Sequence, residues 1–467
     1  MIRRSSLLNR RRLLQGAGLG LAGLAVPGAV RAGFVPTPNP ADYVLKIDNA
    51  EVNPDGEKLM PALLLNGELP GPLLRFTEGE LFRVRMENHL KDQPATIHWH
   101  GLLVPNAMDG VPGITQVATP AGESFVYEYP LVQSGTYWYH SHYQLQEQQG
   151  IHGPMVIEAK AEPLAYDREY VIFLNDWLHS SPYEVVPNIR KGAESGEMQM
   201  SDGPDLADVD YPSFLLNGRG PKDYWSGVAR PGERVRLRII NGSSSSFFKV
   251  KIDNHPLVIT HADGPAVRPF EVDWVLMGTA ECYDVLLTMK DTSATIQVEA
   301  LGGGQALGVL HAPGTAPVAN RAKPDFSGRQ LAYSQLQAPE PTGTSAKPDR
   351  VYDLTLNGNM AKYVWSMSNQ VWPDADPLIC KRGELVEVSM KNETPMVHPM
   401  HLHGHFFRLI LPGQDPRFAA LKHTVIVHPK ETVRFVFLAD NPGRWFFHCH
   451  NLYHLETGMA REWIYQV

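Results

Sequence analysis

Cysteine is scarce in this sequence, which has only three among 467 residues. Besides Cys449, only Cys282 and Cys380 are present, and two cysteines do not make the disulfide framework of a small cross-linked scaffold. We expect both to be buried free thiols in different domains, and we expect no disulfide to involve Cys449. The length is instead sufficient for about three domains that each bury a hydrophobic core.

Basic residues are also fewer than acidic residues. The chain has 42 Lys and Arg against 50 Asp and Glu, which gives a formal net charge of -8. Six of the arginines lie in residues 1–32, which contain no acid, so removal of that segment lowers the net charge to -14. A protein this acidic is repelled by a phosphate backbone, and we exclude nucleic acid as a partner.

The sequence lacks an uninterrupted apolar run long enough to span a membrane, which takes about 20 residues. Its most apolar stretch, residues 16–30, is broken by five glycines and by Pro27. That stretch follows residues 9–15, Asn-Arg-Arg-Arg-Leu-Leu-Gln, which resemble the twin-arginine export consensus. It precedes Val30-Arg31-Ala32, whose small residues suit a signal peptidase. We predict that residues 1–32 are a removable export signal, and that the mature protein is periplasmic with no membrane span.

One strand pattern occurs three times. Gly-Glu pairs at 79–80, 232–233 and 383–384 each open a run of alternating apolar and polar residues that closes at an asparagine. Alternation with a period of two indicates a half-buried strand. Leu-Asn-Gly lies upstream of each copy, at 65–67, 216–218 and 356–358. With Gly, Pro and Asn turns throughout, the pattern predicts an all-β chain of three tandem Greek-key β-sandwich domains.

We place the first domain at residues 33–160 and the second at 161–312. A segment rich in Pro, Ala, Ser and Gly at 313–350 is predicted to be a linker, and the third domain is predicted at 351–467. The first and third domains share histidine motifs that the second domain lacks. We therefore expect the second domain to space the other two so that they can meet.

Histidine is the residue that this sequence concentrates. Ten of its 19 histidines belong to four short motifs: His98-Trp99-His100-Gly101, His140-Ser141-His142, residues 398–403 (HPMHLH), and residues 447–450 (FHCH) with His454 and Met459 beyond it. Two imidazoles, a thiolate and a weak axial thioether make a blue-copper site. Histidines outside the motifs, among them His423, are not expected to be metal ligands.

The first and third domains differ selectively in these motifs. Because side chains alternate along a strand, His448 and His450 point to the face opposite Cys449. They can therefore bind other metal ions, each connected to the Cys449 site through one residue of backbone. When the third domain is aligned with the first, four positions lose their metal-binding side chain: His398 falls on Ala95, Cys449 on Ser141, His454 on Gln146 and Met459 on Ile151. Every shared histidine is kept. The selective loss indicates a mononuclear site in the third domain and a separate cluster, with four histidines from each domain, where the two domains meet.

Over its whole mature region the chain resembles the multicopper oxidase family, and within it the bacterial copper-resistance oxidases. Residues 146–150, 217–219, 224–225 and 280–285 carry the second likeness. The resemblance implies cupredoxin-like domains that hold four copper ions: one type 1, one type 2 and a type 3 pair. It assigns His398, Cys449, His454 and axial Met459 to type 1. It assigns His98 and His401 to type 2, and His100, His140, His142, His403, His448 and His450 to type 3.

The resemblance also implies the reaction. A small reducing substrate, either cuprous ion or a phenol, would give single electrons to the type 1 copper, and Cys449, His448 and His450 would pass them to a cluster that reduces dioxygen to water. Asp109 matches an acid of bacterial relatives that assists oxygen reduction, although an aspartate before Gly110 could simply form a turn. Relatives also place an acid after the histidine equivalent to His454, where this chain has Leu455. We expect a monomer that serves copper tolerance.

Three alternatives stay open. A general bacterial laccase would act on phenols and aromatic amines, a copper-storage protein would bind copper without turnover, and a copper-free relative would be structural. The complete ligand set argues against the structural role, and Met459 at the axial spacing favours copper over zinc. Copper-resistance relatives usually carry a methionine-rich segment, of which this chain has only Met198-Gln199-Met200.

Overall fold

The computed structural model describes residues 43–195 and 207–466. The predicted export signal at residues 1–32 and the Met198-Gln199-Met200 sequence lie outside the described residues. Within the described ranges, no helix is both long and apolar enough to cross a membrane. Most of the regular secondary structure in these ranges is β-strand, arranged in three successive pairs of sheets.

The first pair of sheets forms the first unit. Its sheets have the strand orders β2-β1-β4-β6 and β3-β8-β7-β5. The strands are β1 (Tyr43–Val52), β2 (Met60–Leu65), β3 (Leu74–Thr77), β4 (Leu81–Asn88), β5 (His98–His100), β6 (Ser124–Pro130), β7 (Gly135–His140) and β8 (His152–Glu158). A 3-10 helix at Asn106–Met108 follows β5.

The second unit follows without a copy of the histidine motifs. Its sheets have the orders β10-β9-β12-β17-β14-β15 and β11-β19-β18-β13-β16. The strands are β9 (Arg168–Trp177), β10 (Ser213–Leu216), β11 (Trp225–Val228), β12 (Arg234–Asn241), β13 (Phe248–Ile252), β14 (Leu257–Ala262), β15 (Ala266–Val272), β16 (Val275–Met277), β17 (Cys282–Thr288), β18 (Ala294–Ala300) and β19 (Gln305–His311). Helix α1 (Val185–Ser195) and 3-10 helices at Pro182–Glu184 and Pro221–Asp223 complete it.

The third unit repeats the architecture of the second. Its sheets have the orders β21-β20-β23-β28-β25-β26 and β22-β30-β29-β24-β27. The strands are β20 (Arg350–Asn359), β21 (Val364–Met367), β22 (Leu378–Lys381), β23 (Leu385–Asn392), β24 (His398–Leu402), β25 (Phe407–Leu409), β26 (Leu421–Lys422), β27 (Thr424–Val427), β28 (Thr432–Leu438), β29 (Arg444–Cys449) and β30 (Ala460–Gln466). Helix α2 (Leu452–Glu456) joins the last two strands, and 3-10 helices lie at Tyr333–Gln335 and Pro416–Phe418.

The prediction of an all-β fold of three tandem cupredoxin-like sandwiches is confirmed. The three alternating runs are β4, β12 and β23, and each pairs in parallel with the strand that opens its own unit. Equivalent sequence patterns therefore occupy equivalent places in the three sandwiches. The domain boundaries and the linker at 313–350 stay predictions.

Two details depart from the alternating pattern. Arg236 and Arg238 of β12 were expected on a solvent face, but each is only 1% exposed. Both guanidinium groups bond the buried carboxylate of Asp284, and Arg238 also lies 3.0 Å from Thr136 Oγ1 of the first unit. Packing of the first unit against the second buries this face, and the ion pairs offset the cost of burying charge.

The three Leu-Asn-Gly sequences are not structurally equivalent. In the first two units the asparagine and glycine have positive φ, for example 54° at Asn66 and 76° at Gly67, and they form a tight turn. In the third unit the same letters, residues 356–358, lie inside β20, and Ser368 and Asn369 make the positive-φ turn instead. Asparagine and glycine favour this conformation but do not impose it on a chain that pairs as a strand.

The cysteines are buried and unpaired, as predicted for Cys282 and Cys380. Cys282 and Cys380 are buried free thiols, as is Cys449. The first and third units share one continuous core cluster, which includes Trp99 and Trp445. That shared packing brings the histidine motifs of the two units together.

Candidate metal centre

A mononuclear site lies at one end of the third sandwich. His398 opens β24, Cys449 closes β29 and His454 lies in α2. Each Nδ1 atom of these two histidines is 3.6 Å from Cys449 Sγ, and the two Nδ1 atoms are 3.1 Å apart. All three side chains are fully buried. Two imidazole nitrogens and a thiol sulfur thus converge on one point.

A short turn returns His454 to Cys449. Asn451 caps α2, because its side-chain oxygen accepts hydrogen bonds from the backbone N–H groups of Tyr453 and His454. After the helix, Met459 N–H donates to His454 O at 2.9 Å, and Cys449 N–H donates to Met459 O at 3.0 Å. The buried Met459 is thereby tied to both neighbouring ligand positions, which is consistent with its predicted axial place.

Two residues that the sequence analysis missed hold the outer nitrogens of these imidazoles. His398 Nε2 lies 2.7 Å from Thr394 Oγ1, and His454 Nε2 lies 2.9 Å from Asp208 Oδ2. A ligand histidine usually donates its second N–H to such a partner, which fixes the ring and its tautomer. Asp208 belongs to the second unit and is 246 residues from His454. No local pattern in the sequence could have paired them.

The second site lies where the first and third units meet. Histidines from the two units stack on one another, with ring centroids 4.0 Å apart for His98 and His403 and 3.8 Å apart for His100 and His401. His403 Nε2 lies 3.0 Å from His448 Nε2. The structure places all eight shared histidines in this cluster: His98, His100, His140, His142, His401, His403, His448 and His450.

The chemistry of the cluster fits metal ions. Six of its nitrogens are buried without a hydrogen-bond partner among the described residues: Nε2 of His98, His140, His142, His401 and His450, and Nδ1 of His100. Burial lowers the pKa of most of these imidazoles well below the usual value, and lowers the pKa of His448 to about 3. Neutral imidazoles with unused lone pairs are the form that binds copper.

Asp109 contacts one histidine from each unit. Its Oδ2 atom lies 2.9 Å from His403 Nδ1, its Oδ1 atom lies 3.2 Å from His98 Nδ1, and the side chain is 1% exposed. The backbone of Asp109 also ends the 3-10 helix before Gly110, which has a φ of 83°. Asp109 therefore both forms the turn before Gly110 and lies beside the histidine cluster. Its part in oxygen reduction stays a prediction.

Glu147 and His423 also contact the cluster, and no sequence motif predicted either contact. Glu147 Oε2 lies 2.7 Å from His140 Nδ1, and burial raises the pKa of this carboxyl well above its usual range. His423 was not expected to be a metal ligand, and its Nδ1 atom lies 3.2 Å from His100 Nε2. His100 belongs to the first unit and His423 to the third, so this contact depends on how the two units pack.

A narrow pocket opens beside the cluster. Its lining includes His140, His142, Glu147, Leu455 and Glu456. Leu455, the residue directly after His454, contributes an apolar side chain to this lining. Glu147 and Glu456 are thus the carboxyl groups that face the pocket.

The first unit has the backbone arrangement of the mononuclear site but not its metal-binding side chains. Ser141 Oγ donates to Gln146 Oε1 at 2.8 Å, where the third unit has Cys449 and His454. Ser141 N–H donates to Ile151 O at 2.9 Å, which matches the bond from Cys449 N–H to Met459 O. Ala95 and Ile151 are fully buried in the core. The place of the four metal-binding side chains is therefore taken by a hydrogen-bonded pair of neutral side chains and by two apolar residues.

Comparison with known proteins agrees with this geometry. Profiles described as multicopper oxidase match residues 46–162, 168–311 and 344–467. The chain is 36% identical to the multicopper oxidase MmcO of Mycobacterium tuberculosis over 87% of its length and 83% of that protein. It is 30% identical to the copper resistance protein A of Escherichia coli over 90% of its length and 92% of that protein.

Solved structures show the same fold at lower identity. The chain resembles Fet3p, a multicopper oxidase that functions in iron import, with a TM-score of 0.80 at 22% identity, covering 91% of this chain and 90% of that one. It resembles a laccase from Botrytis aclada with a TM-score of 0.74 at 24% identity, covering 90% and 87%. These similarities concern the fold of all three units.

Proposed function

Because this chain belongs to the multicopper oxidase family, we propose that it oxidises cuprous ion with dioxygen in the service of copper tolerance. It is an oxidoreductase that uses copper and reduces dioxygen. The observation that carries the proposal is the arrangement of two distinct sites, one with a buried cysteine and the other with eight histidines. A storage protein has no need to join a mononuclear site to a cluster in this way.

We assign the copper ligands from this geometry and the family pattern. In this proposal His398, Cys449, His454 and Met459 would hold type 1 copper, and His98 and His401 would hold type 2. The type 3 pair is held by His100, His140, His142, His403, His448 and His450. Bound copper supplies the one-electron oxidation of substrate and the four-electron reduction of dioxygen to water.

The protein contributes a covalent route between the sites. Cys449 faces the mononuclear site, and its neighbours His448 and His450 face the cluster. Strand alternation at the end of β29 produces that division, and we propose that this route carries the electrons. Asp208 orients His454, and Asp109 orients His98 and His403 and supplies protons to dioxygen.

The acidic surface supports a cationic substrate. Asp208 lies directly behind His454, and Asp210, two residues further on, is exposed. The net charge of the chain after residue 32 is -14, which favours the approach of a cation. The similarity to copper resistance protein A supports the same substrate. We also propose twin-arginine export to the periplasm and a monomer, since one chain supplies every ligand.

The first test compares donors. We expect a higher kcat/KM with stabilised cuprous ion than with a simple phenol in the copper-loaded protein. Asp210→Asn should lower kcat/KM for cuprous ion roughly two- to fivefold by removing one nearby charge, and should leave that for the phenol unchanged. Added salt should shrink the difference, because it screens exposed charges.

The matched control is Asp325→Asn, which neutralises an exposed acid whose side chain bonds Ser327 and whose backbone oxygen accepts a hydrogen bond from Lys251 of β13. This control substitution should leave kcat/KM unchanged for both cuprous ion and the phenol. If Asp210→Asn slows both donors equally, or if phenols are strongly preferred, the protein is a general laccase. If the copper-loaded protein consumes no oxygen with either donor, it stores copper.

The second test concerns Met459. We expect Met459→Leu to keep the blue absorbance and to raise the reduction potential of the type 1 site, because loss of a weak donor destabilises the oxidised ion. A redox titration followed by the blue absorbance measures this. Met155→Leu, at another fully buried methionine, is the control and should leave the potential unchanged. An unchanged potential in Met459→Leu, or loss of the type 1 copper, would contradict the axial role.

A further inference from the structure

The second unit places an acidic turn at the junction of all three units. Asp263 and Gly264 connect β14 to β15, with φ values of 50° and 102°. A Cβ atom on Gly264 would lie 2.1 Å from Tyr137 Oη of the first unit, and one on Gly135 would lie 2.4 Å from Gly264 O. The turn therefore packs directly on the strand that leads to His140.

Asp263 bonds three successive residues of the third unit, which we call the 422–424 segment. Its Oδ2 atom lies 2.9 Å from Lys422 Nζ and accepts hydrogen bonds of 3.2 Å from the backbone N–H groups of His423 and Thr424. Its side chain is fully buried. A charge this deeply buried is costly unless it is paired, so the contacts hold the segment firmly to the second unit.

A second carboxyl group completes the anchor. Glu281 Oε1 also lies 2.9 Å from Lys422 Nζ, and it accepts hydrogen bonds from the hydroxyl groups of Tyr333 at 2.7 Å and Tyr283 at 3.1 Å. The Lys422 ammonium lies over both tyrosine rings, 5.2 and 5.1 Å from their centroids. The anchor on Lys422 thus combines two carboxyl groups with two aromatic faces.

The 422–424 segment in turn holds one proposed copper ligand from each outer unit. His401 Nδ1 donates to His423 O at 2.8 Å and lies 3.2 Å from Thr424 Oγ1. His100 Nε2 lies 3.2 Å from His423 Nδ1 and 3.4 Å from Thr424 Oγ1. Among residues 43–195 and 207–466, His401 Nε2 and His100 Nδ1 then have no hydrogen-bond partner. His100 thereby turns the opposite ring nitrogen toward the cluster.

We propose that Asp263 of the second unit is a positioning residue for the copper cluster. By fixing the 422–424 segment it determines which nitrogen His100 and His401 present to copper. The inference rests on the ligand set of the proposed function. It also gives the second unit a part beyond spacing, because the anchor of two ligands lies in that unit.

The test is Asp263→Asn in the full-length protein. Asparagine tolerates a positive φ and keeps an oxygen for one N–H group, but it removes the charge that faces Lys422. We expect copper affinity of the cluster to fall roughly 10- to 100-fold, as for other partners of ligand histidines. Elemental analysis should show a lower copper-to-protein ratio, and the electron paramagnetic resonance signal of type 2 copper should change. The blue absorbance of the type 1 site should persist.

Asp284→Asn is the matched control. Asp284 is a buried carboxylate of the same unit, and its side chain bonds Arg236 and Arg238 and accepts from Thr136 of the first unit at 2.6 Å. Both variants should lower the thermal stability of the metal-free protein, and only Asp263→Asn should lose cluster copper. Equal loss of cluster copper in the two variants would mean general loosening and would overturn the proposal.

A second pair of variants tests the contact with His100. His423→Asn keeps an acceptor for His100 Nε2–H, whereas His423→Phe removes it. We expect the asparagine variant to retain more cluster copper and a type 2 signal closer to that of the unsubstituted protein; equal signals would contradict the inference. If the unsubstituted protein fails to bind four copper ions, the proposed function fails instead. If it binds four and Asp263→Asn matches it, only the inference fails.

Discussion

Copper-loaded Cys449→Ser protein should be colourless and should have no measurable oxidase turnover. The blue colour of a type 1 site requires a thiolate on copper, and a serine hydroxyl is a poor substitute because it stays protonated. Cys449 also supplies the covalent link from the mononuclear site to His448 and His450. One substitution should therefore remove both the chromophore and the entry of electrons, while the cluster histidines keep their places.

The control for that experiment is Cys380→Ser. Cys380 is an equally buried free thiol of the same unit, so both substitutions bury a hydroxyl in place of sulfur and should cost about 1–3 kcal/mol of stability. Absorbance, copper content and oxygen consumption should change only in Cys449→Ser. A blue Cys449→Ser protein, or a colourless Cys380→Ser protein of normal fold, would refute the ligand assignment.

Asp109→Asn should slow the reaction of the fully reduced protein with dioxygen by roughly a hundredfold, the usual contribution of a positioned acid or base. Asparagine can still accept the hydrogen bond from His403 Nδ1, so ligand orientation should be kept while proton transfer is lost. Anaerobic reduction of the type 1 site should proceed at the normal rate. Stopped-flow absorbance measures the two half-reactions separately.

Asp176→Asn provides the comparison for Asp109→Asn. Asp176 is a buried aspartate that accepts hydrogen bonds from the backbone of Ser244 and Ser245, so it tests the general cost of neutralising a buried carboxylate. It should leave both half-reactions unchanged. Reoxidation of Asp109→Asn at the unsubstituted rate would show that Asp109 only forms the turn before Gly110.

The sequence by itself determined the fold class and the pairing of the histidine motifs. Strands such as β4 appear as alternating residues because side chains on a strand alternate between a buried and an exposed face. The same local geometry separates Cys449 from His448 and His450. Strand alternation and motif spacing depend only on residues that are close in the sequence. Such features could therefore be predicted from the sequence.

Only the tertiary structure decided which residues surround the histidines. Asp208 meets His454, Asp109 meets His403 across 294 residues, and Asp263 meets Lys422 across two units. The buried Arg236 shows the same limit, since its strand pattern predicts exposure. These contacts depend on how one sandwich packs against another, and no periodicity within a strand specifies that packing. The sequence therefore determined the proposed ligands, and the packing of the three units decided what holds them.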